Sequence, residues 1–216
     1  GNPWLDAGII PFSTLSYTTD PKYWQQWFPA DFITESFPGQ FKNWFYSLIA
    51  MSTVLEDSPP GKTILGYASL LAEDGRPMHK SWGNAIEFNE GASKIGVDIM
   101  RWLYARQSPT QNLLFGYSTA ADIKRQFHLI LWNSYRFFVN NAIADSWQPK
   151  GNKLPPQLDH ALDQWIISRF ANTVMAVTTS LDNFDAFHAT QTIENFVSDL
   201  SLWYIRRSRD RVGPAA

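Results

Sequence analysis

The sequence predicts a mixed α/β chain that is mostly helical, and three observations carry that expectation. Two short β-prone runs, 30–35 and 63–71, flank a helical pattern within fifty residues. From Asn84 onward the apolar residues recur at helical spacing almost throughout. The 216 residues include ten tryptophans and fifteen phenylalanines, enough large side chains for a substantial core in one large domain or two smaller ones.

The opening Gly1-Asn2-Pro3-Trp4-Leu5-Asp6-Ala7-Gly8 has no methionine, shows no helix or strand start, and reads as a cut into a longer protein. Residues 9–30 are punctuated by Pro11, Pro21 and Pro29, which predicts irregular structure with one short helix near 22–28. Aromatic residues crowd this region, so it either packs against something large or lines a pocket. Phe32, Ile33 and Thr34 form a buried-strand candidate, broken by Pro38-Gly39. Trp44, Leu48, Met51 and Leu55 then share a helical face until Pro59-Pro60-Gly61, and 63–71 is the second strand. Strand, helix and strand at this spacing predict a βαβ unit with a parallel sheet. Ligands in such sheets bind beyond the carboxyl ends of the strands, here 35–40 and 73–81, so two polar loops are expected to converge on one crevice.

Two short helices, 89–95 and 98–107, are expected on either side of Gly96. A long helix follows over 118–144, with Ser118 as its cap and Ile123, Phe127, Ile130, Ser134 and Phe138 at helical spacing. The Pro-, Gly- and Lys-rich stretch 145–157 marks a domain boundary. Beyond it, 159–181 and 186–207 predict an antiparallel helical hairpin from a bundle. The last helix ends in Trp203-Tyr204-Ile205-Arg206-Arg207-Ser208-Arg209-Asp210-Arg211. Cations here oppose the helix dipole, yet four arginines exceed what a cap needs and also suit nucleic-acid phosphates.

Composition excludes several classes. A formal net charge of −2 argues against a strongly cationic nucleic-acid glue and leaves room for local basic patches. No cysteine is present, so there are no disulfides or thiolate metal sites. His79, His128, His160 and His188 are scattered without metal-pair spacing, and no metal site is expected. No apolar run approaches the roughly 18 residues of a membrane span, and no signal peptide is visible. A cytoplasmic location is the expectation.

The polar loop Gly75-Arg76-Pro77-Met78-His79-Lys80-Ser81-Trp82-Gly83-Asn84 places one lysine beside a serine. A point charge on such a loop can reach a polyanion, although on these ten residues alone a solvated surface lysine is the favoured reading. Pro77-Met78-His79-Lys80-Ser81 resembles the Lys-Met-Ser-Lys-Ser signature of class I aminoacyl-tRNA synthetases. The Met, second Lys and final Ser are kept, while Pro77 and His79 replace the first Lys and first Ser. Trp4-Leu5-Asp6-Ala7-Gly8 with Pro11-Phe12-Ser13-Thr14-Leu15 resembles the stretch after the editing insertion of the isoleucyl and valyl enzymes. Asp31-Phe32-Ile33-Thr34-Glu35, Gln40, Trp44-Phe45-Tyr46 and the Trp203–Arg209 tail are similar to the isoleucyl pattern; a valyl-type ligase is the close alternative.

That resemblance implies a fold and roles. Residues 1–85 would form the second half of a Rossmann-like catalytic nucleotide fold, 86–150 a helical stem-contact region, and 151–216 the start of an anticodon-binding bundle. Lys80 would be catalytic, stabilising pyrophosphate as isoleucine attacks the α-phosphate of ATP, with Mg2+ as the nucleotide's counter-ion. Glu35, Gln40, Met78 and Ser81 would line the ATP and adenylate site with it. Trp4 and Trp44 would flank the isoleucine side chain, though on periodicity alone Trp44 reads as core before pocket and Glu35 as a strand-end carboxylate in water. Arg206, Arg207, Arg209 and Arg211 are the candidate contacts to tRNA(Ile). The family's His-Ile-Gly-His motif and editing domain are absent, so the expected partners include a missing N-terminal half, and the fragment alone is expected to be inactive. A non-catalytic tRNA-binding or assembly module is the reading from a different class.

Overall fold

The computed structural model describes residues 2–149, 151 and 158–212. Most of the 145–157 boundary stretch therefore lies outside the described residues. The chain forms two compact units, one of 1–71 with 109–113, the other of 72–108 with 114–216.

In the first unit a helix does begin at the N-terminus, contrary to the sequence expectation. Asn2 accepts the Trp4 N–H at 2.9 Å and Pro3 occupies the first turn, which together nucleate α1 (Pro3–Gly8). Gly8 is required there, since a Cβ would meet the Ser47 carbonyl oxygen at 2.7 Å. Short helices α2 (Ile10–Ser13) and α3 (Pro21–Trp24) follow. Their aromatics pack on one another: Trp24 stacks on Phe28 at 4.7 Å, and Phe12 meets Tyr17 edge-on at 5.2 Å. The Trp24 indole N–H is satisfied by the Pro11 carbonyl at 2.9 Å. The aromatic-rich opening is thus a small core of its own.

The predicted βαβ unit is present. β1 (Ile33–Ser36) pairs in parallel with β2 (Ile64–Tyr67), in the register Ile33 to Ile64 and Ser36 to Tyr67. Between them lie α4 (Phe37–Gln40) and α5 (Trp44–Glu56), and Ile33, Phe45 and Leu48 are buried together with Trp44 and Ala30 against them. Burial of side chains of this size stabilises by roughly 1.5–3 kcal/mol each. The buried stripe of α5 is Phe45, Leu48 and Ser52; of the predicted Trp44, Leu48, Met51 and Leu55 face, Leu48 is buried, Trp44 and Met51 are half-buried and Leu55 is exposed. The expected single strand 63–71 is broken: only β2 joins the parallel pair. β3 (Leu70–Ala72) pairs instead with β4 (Leu113–Phe115), where the Leu113 N–H donates to the Ser69 carbonyl at 3.0 Å. The loop carrying Lys80 therefore follows β3 and does not leave the parallel sheet directly.

The second unit is helical. Its helices are α6 (Phe88–Lys94), α7 (Val97–Ala105), α8 (Tyr117–Ile123), α9 (Leu129–Ala144), α10 (Ala161–Asp182), α11 (Ala186–Ser198) and α12 (Arg206–Ser208). Gly96 separates α6 from α7 at φ +97°, a conformation that favours glycine. Ser118 is not the cap of its helix; α8 starts one residue earlier, after Gly116. A π-helical turn, Lys124–His128, joins α8 to α9, and a second, Asp199–Ile205, joins α11 to α12. Such turns recur where side chains are re-aimed for function. The α10–α11 hairpin is held by Phe170 on Phe196 at 5.5 Å and by Arg169, which reaches Asp199 at 2.6 and 2.9 Å.

Candidate functional site

The candidate residues of the first unit gather around β1 and the start of α5. Glu35 lies at the carboxyl end of β1, where one carboxylate oxygen accepts the Ser36 N–H at 2.8 Å and the Tyr67 hydroxyl at 3.2 Å. Both bonds orient the carboxylate at a strand end. Gln40 Oε1 accepts the Trp44 N–H at 3.3 Å, satisfying an otherwise orphaned donor of α5 and leaving the Gln40 amide group to point elsewhere. The Trp44 ring stacks on Phe45 at 5.6 Å and packs on the Ile33–Leu48 cluster, so it is half core and half open surface. Trp4 is 41% exposed on α1.

The second unit carries the lysine loop. Asn84 clamps it at two points, its Oδ1 accepting the His79 N–H and its Nδ2 donating to the Pro77 carbonyl, both at 2.9 Å. Lys80 opens the 3-10 turn Lys80–Trp82, closed by Gly83 at φ +69°. The His79 ring packs on Trp82 at 4.2 Å. Lys80 and Ser81 are exposed and Met78 is half-buried beside them. Among the described residues no carboxylate pairs with the Lys80 ammonium, whereas Arg76 in the same loop is tied to Asp74 at 2.6 Å. The result is a backbone fixed at both ends with a free cation presented from its middle. Asn84 was not singled out by the sequence, because its role depends on a fold-back of five and seven residues.

The arginine tail separates into different roles. Arg211 binds both oxygens of Asp163, at 2.8 and 3.0 Å, and the Tyr204 hydroxyl donates to the same carboxylate at 3.0 Å. Arg211 foremost, then Tyr204, holds the Asp163 carboxyl below its ordinary range. Arg207 lies over the Trp203 ring, 4.1 Å from its centroid. Arg206 and Arg209 are exposed.

Residues 2–115, just over half of the chain, match the family model described as tRNA synthetases class I (I, L, M and V). The chain belongs to the class I tRNA synthetases. Residues 163–215 of this synthetase chain match a second model, the anticodon-binding domain of tRNA ligase. The chain is 36% identical over 210 residues to the isoleucine–tRNA ligase of Methanothermobacter marburgensis, an alignment covering 96% of this chain and 20% of that protein. It is 37% identical over 213 residues to the isoleucine–tRNA ligase of Dehalococcoides mccartyi, covering 96% and 21%. The synthetase chain thus spans about a fifth of the length of the curated relatives it matches. A crystal structure of a LeuRS–tRNA–LeuAMS ternary complex from Agrobacterium radiobacter shares the fold, with a TM-score of 0.75 at 15% identity over 99% of this chain and 27% of that one. The resemblance drawn from the signature loop and the tail is borne out.

Proposed function

We propose that this chain supplies part of an isoleucine–tRNA ligase, which joins isoleucine to ATP as isoleucyl-adenylate and transfers the acyl group to tRNA(Ile). The observation that carries the reading is the clamped loop with its Lys80, unpaired among the described residues, within a region matching the class I synthetase model. As the isoleucine carboxylate attacks the α-phosphorus, negative charge builds on the departing pyrophosphate. A cation already in place lowers that barrier without reorganisation, and Met78 and Ser81 shape the loop around it. Glu35 receives the substrate ammonium, Gln40 lines the adenylate site, and Trp4 and Trp44 bracket the isoleucine side chain. Mg2+ arrives with ATP.

In this reading 1–85 is the second half of the Rossmann-like nucleotide fold, 86–150 contacts the tRNA stem, and 151–216 begins the anticodon-binding bundle with Arg206, Arg207 and Arg209 facing RNA. The sequence contains no His-Ile-Gly-His phosphate motif, so the 216 residues alone do not sustain the reaction.

Replacing the matching fifth of the Methanothermobacter marburgensis ligase with this chain tests the reading. Isoleucine-dependent ATP–pyrophosphate exchange by a cooperatively melting chimera supports it. A folded chimera that retains tRNA but exchanges no pyrophosphate overturns it in favour of a non-catalytic tRNA-binding module.

A further inference from the structure

Trp203 is an indole held in place yet left open. It is 47% exposed, although it stands in the π-helical turn Asp199–Ile205 in the interior of a long helix. Its neighbour Tyr204 is anchored through the Asp163 carboxylate, and Arg211 closes on the same group. These three bonds fix the rotation of the helix end and therefore the direction in which Trp203 points. Arg207 covers one part of the ring at 4.1 Å, a cation–π contact that orders the indole and leaves the rest of its surface open to a flat partner.

Charge along the stretch that begins at the ring is one-sided. Residues 203–211 hold four arginines and one acid, Asp210, in a chain of net charge −2. Among the described residues the ion pairs take up Arg211 but neither Arg206 nor Arg209. A pair serving only to finish the helix would need one arginine over the ring or on the last carbonyls. An ordered aromatic ring under one guanidinium, with two further exposed arginines on the same helix end, has the chemistry that takes an unpaired nucleobase by stacking and its flanking phosphates by charge.

The geometry points to Trp203, backed by Arg207, as a stacking platform for one unpaired base of a bound RNA, with Arg206 and Arg209 on the adjacent phosphates. This rests on the tRNA-binding part of the proposed function and deepens it: Arg211 is removed from the RNA contacts and becomes the clamp that aims the ring.

Fluorescence anisotropy with the 216-residue chain tests the platform. The probes are a labelled RNA hairpin with a seven-nucleotide loop, the same hairpin with abasic loop positions, and a tRNA(Ile) transcript. Trp203→Ala is expected to weaken hairpin binding about five- to hundredfold, with Trp203→Phe close to wild type. The abasic hairpin should bind wild type about as weakly as the intact hairpin binds Trp203→Ala. Arg207→Ala should weaken the intact hairpin and leave the far-UV spectrum unchanged. Hairpin binding by Trp203→Ala within twofold of wild type overturns the platform and leaves the tRNA reading standing. Failure of wild type to bind either the hairpin or the transcript at low salt overturns both.

Discussion

The Glu73 carboxylate accepts the Thr119 backbone N–H at 2.8 Å, together with the Ser118 hydroxyl at 2.6 Å. A side chain 46 residues upstream thereby caps α8, a helix whose own first residue is preceded by a glycine. Gly116 is what allows the approach, because a Cβ there would fall 2.0 Å from Glu73 Cγ.

Glu73→Ala is expected to destabilise the chain by about 1 kcal/mol, the usual value of a lost helix cap, and Gly116→Ala by a similar amount through the same displaced carboxylate. Urea titration measures both, and the two effects should not add. The Ser118 hydroxyl, then the Thr119 N–H, lowers the Glu73 pKa in the folded state. Its stabilisation is therefore full above the ordinary glutamate range and is lost as pH falls through the lowered value. Wild type should show that acid loss and Glu73→Gln should not.

Asp163→Asn should release Arg211 and weaken the Tyr204 bond, costing about 1–2 kcal/mol for hydrogen bonds to a half-buried charge. A double-mutant cycle with Arg211→Ala should return a coupling energy of that order. Additive single effects would show that the clasp is decorative.

Lys80→Ala in the chimeric ligase should slow adenylate formation by about 10²–10³, the loss seen when one charge-stabilising donor is removed from a transition state. Pyrophosphate exchange is the measurement, and a rate within threefold of the parent would remove Lys80 from the chemistry. Asn84→Ala should act on the same step more weakly. Its direct signature is faster hydrogen exchange at the His79 amide, which loses its acceptor.

His128 offers a pH test of the second unit. It meets Trp102 and Phe127 edge-on at 6.3 and 5.1 Å, and its Nδ1 is buried without a partner. Burial lowers the imidazole pKa, with a backbone bond to Ile123 opposing. The unfolded chain therefore takes up a proton first as pH falls. Stability should be full above the ordinary histidine range and decline through the window between the ordinary and lowered values. His128→Leu should flatten that part of the profile in thermal melts.

Much of this was legible locally. The βαβ unit could be read because α5 is bounded by Pro38-Gly39 on one side and Pro59-Pro60-Gly61 on the other, with β-prone residues beyond each. The helices flanking Gly96 and the α10–α11 hairpin were legible for the same reason: periodicity and breakers lie within one window. The start of α1 was missed although Asn2-Pro3 carried its signal, a cap followed by a proline. The expected stripe on α5 shares Leu48 with the buried one but takes Trp44 where Phe45 is the buried ring, because both continue an apolar helical row and both pack on the Ile33 cluster, Phe45 the more deeply. The cap from Glu73, the Asn84 clamp and the Asp163–Arg211 clasp were illegible, since each joins polar residues whose proximity is decided by tertiary structure.

The two units share the chain unequally. The first takes 1–71 and then reclaims 109–113, where the Pro109 carbonyl accepts from Ala68 N–H at 2.8 Å and Asn112 accepts from Ser69 N–H at 2.9 Å. No single scission can therefore release either unit whole. A protease nick after Leu71 would leave the first unit without its five-residue return, and a nick after Leu113 would leave it carrying the lysine loop of the second. Swapping modules between synthetases at one junction would in this region inherit a broken neighbour, and an exchange that preserves both has to be made at three.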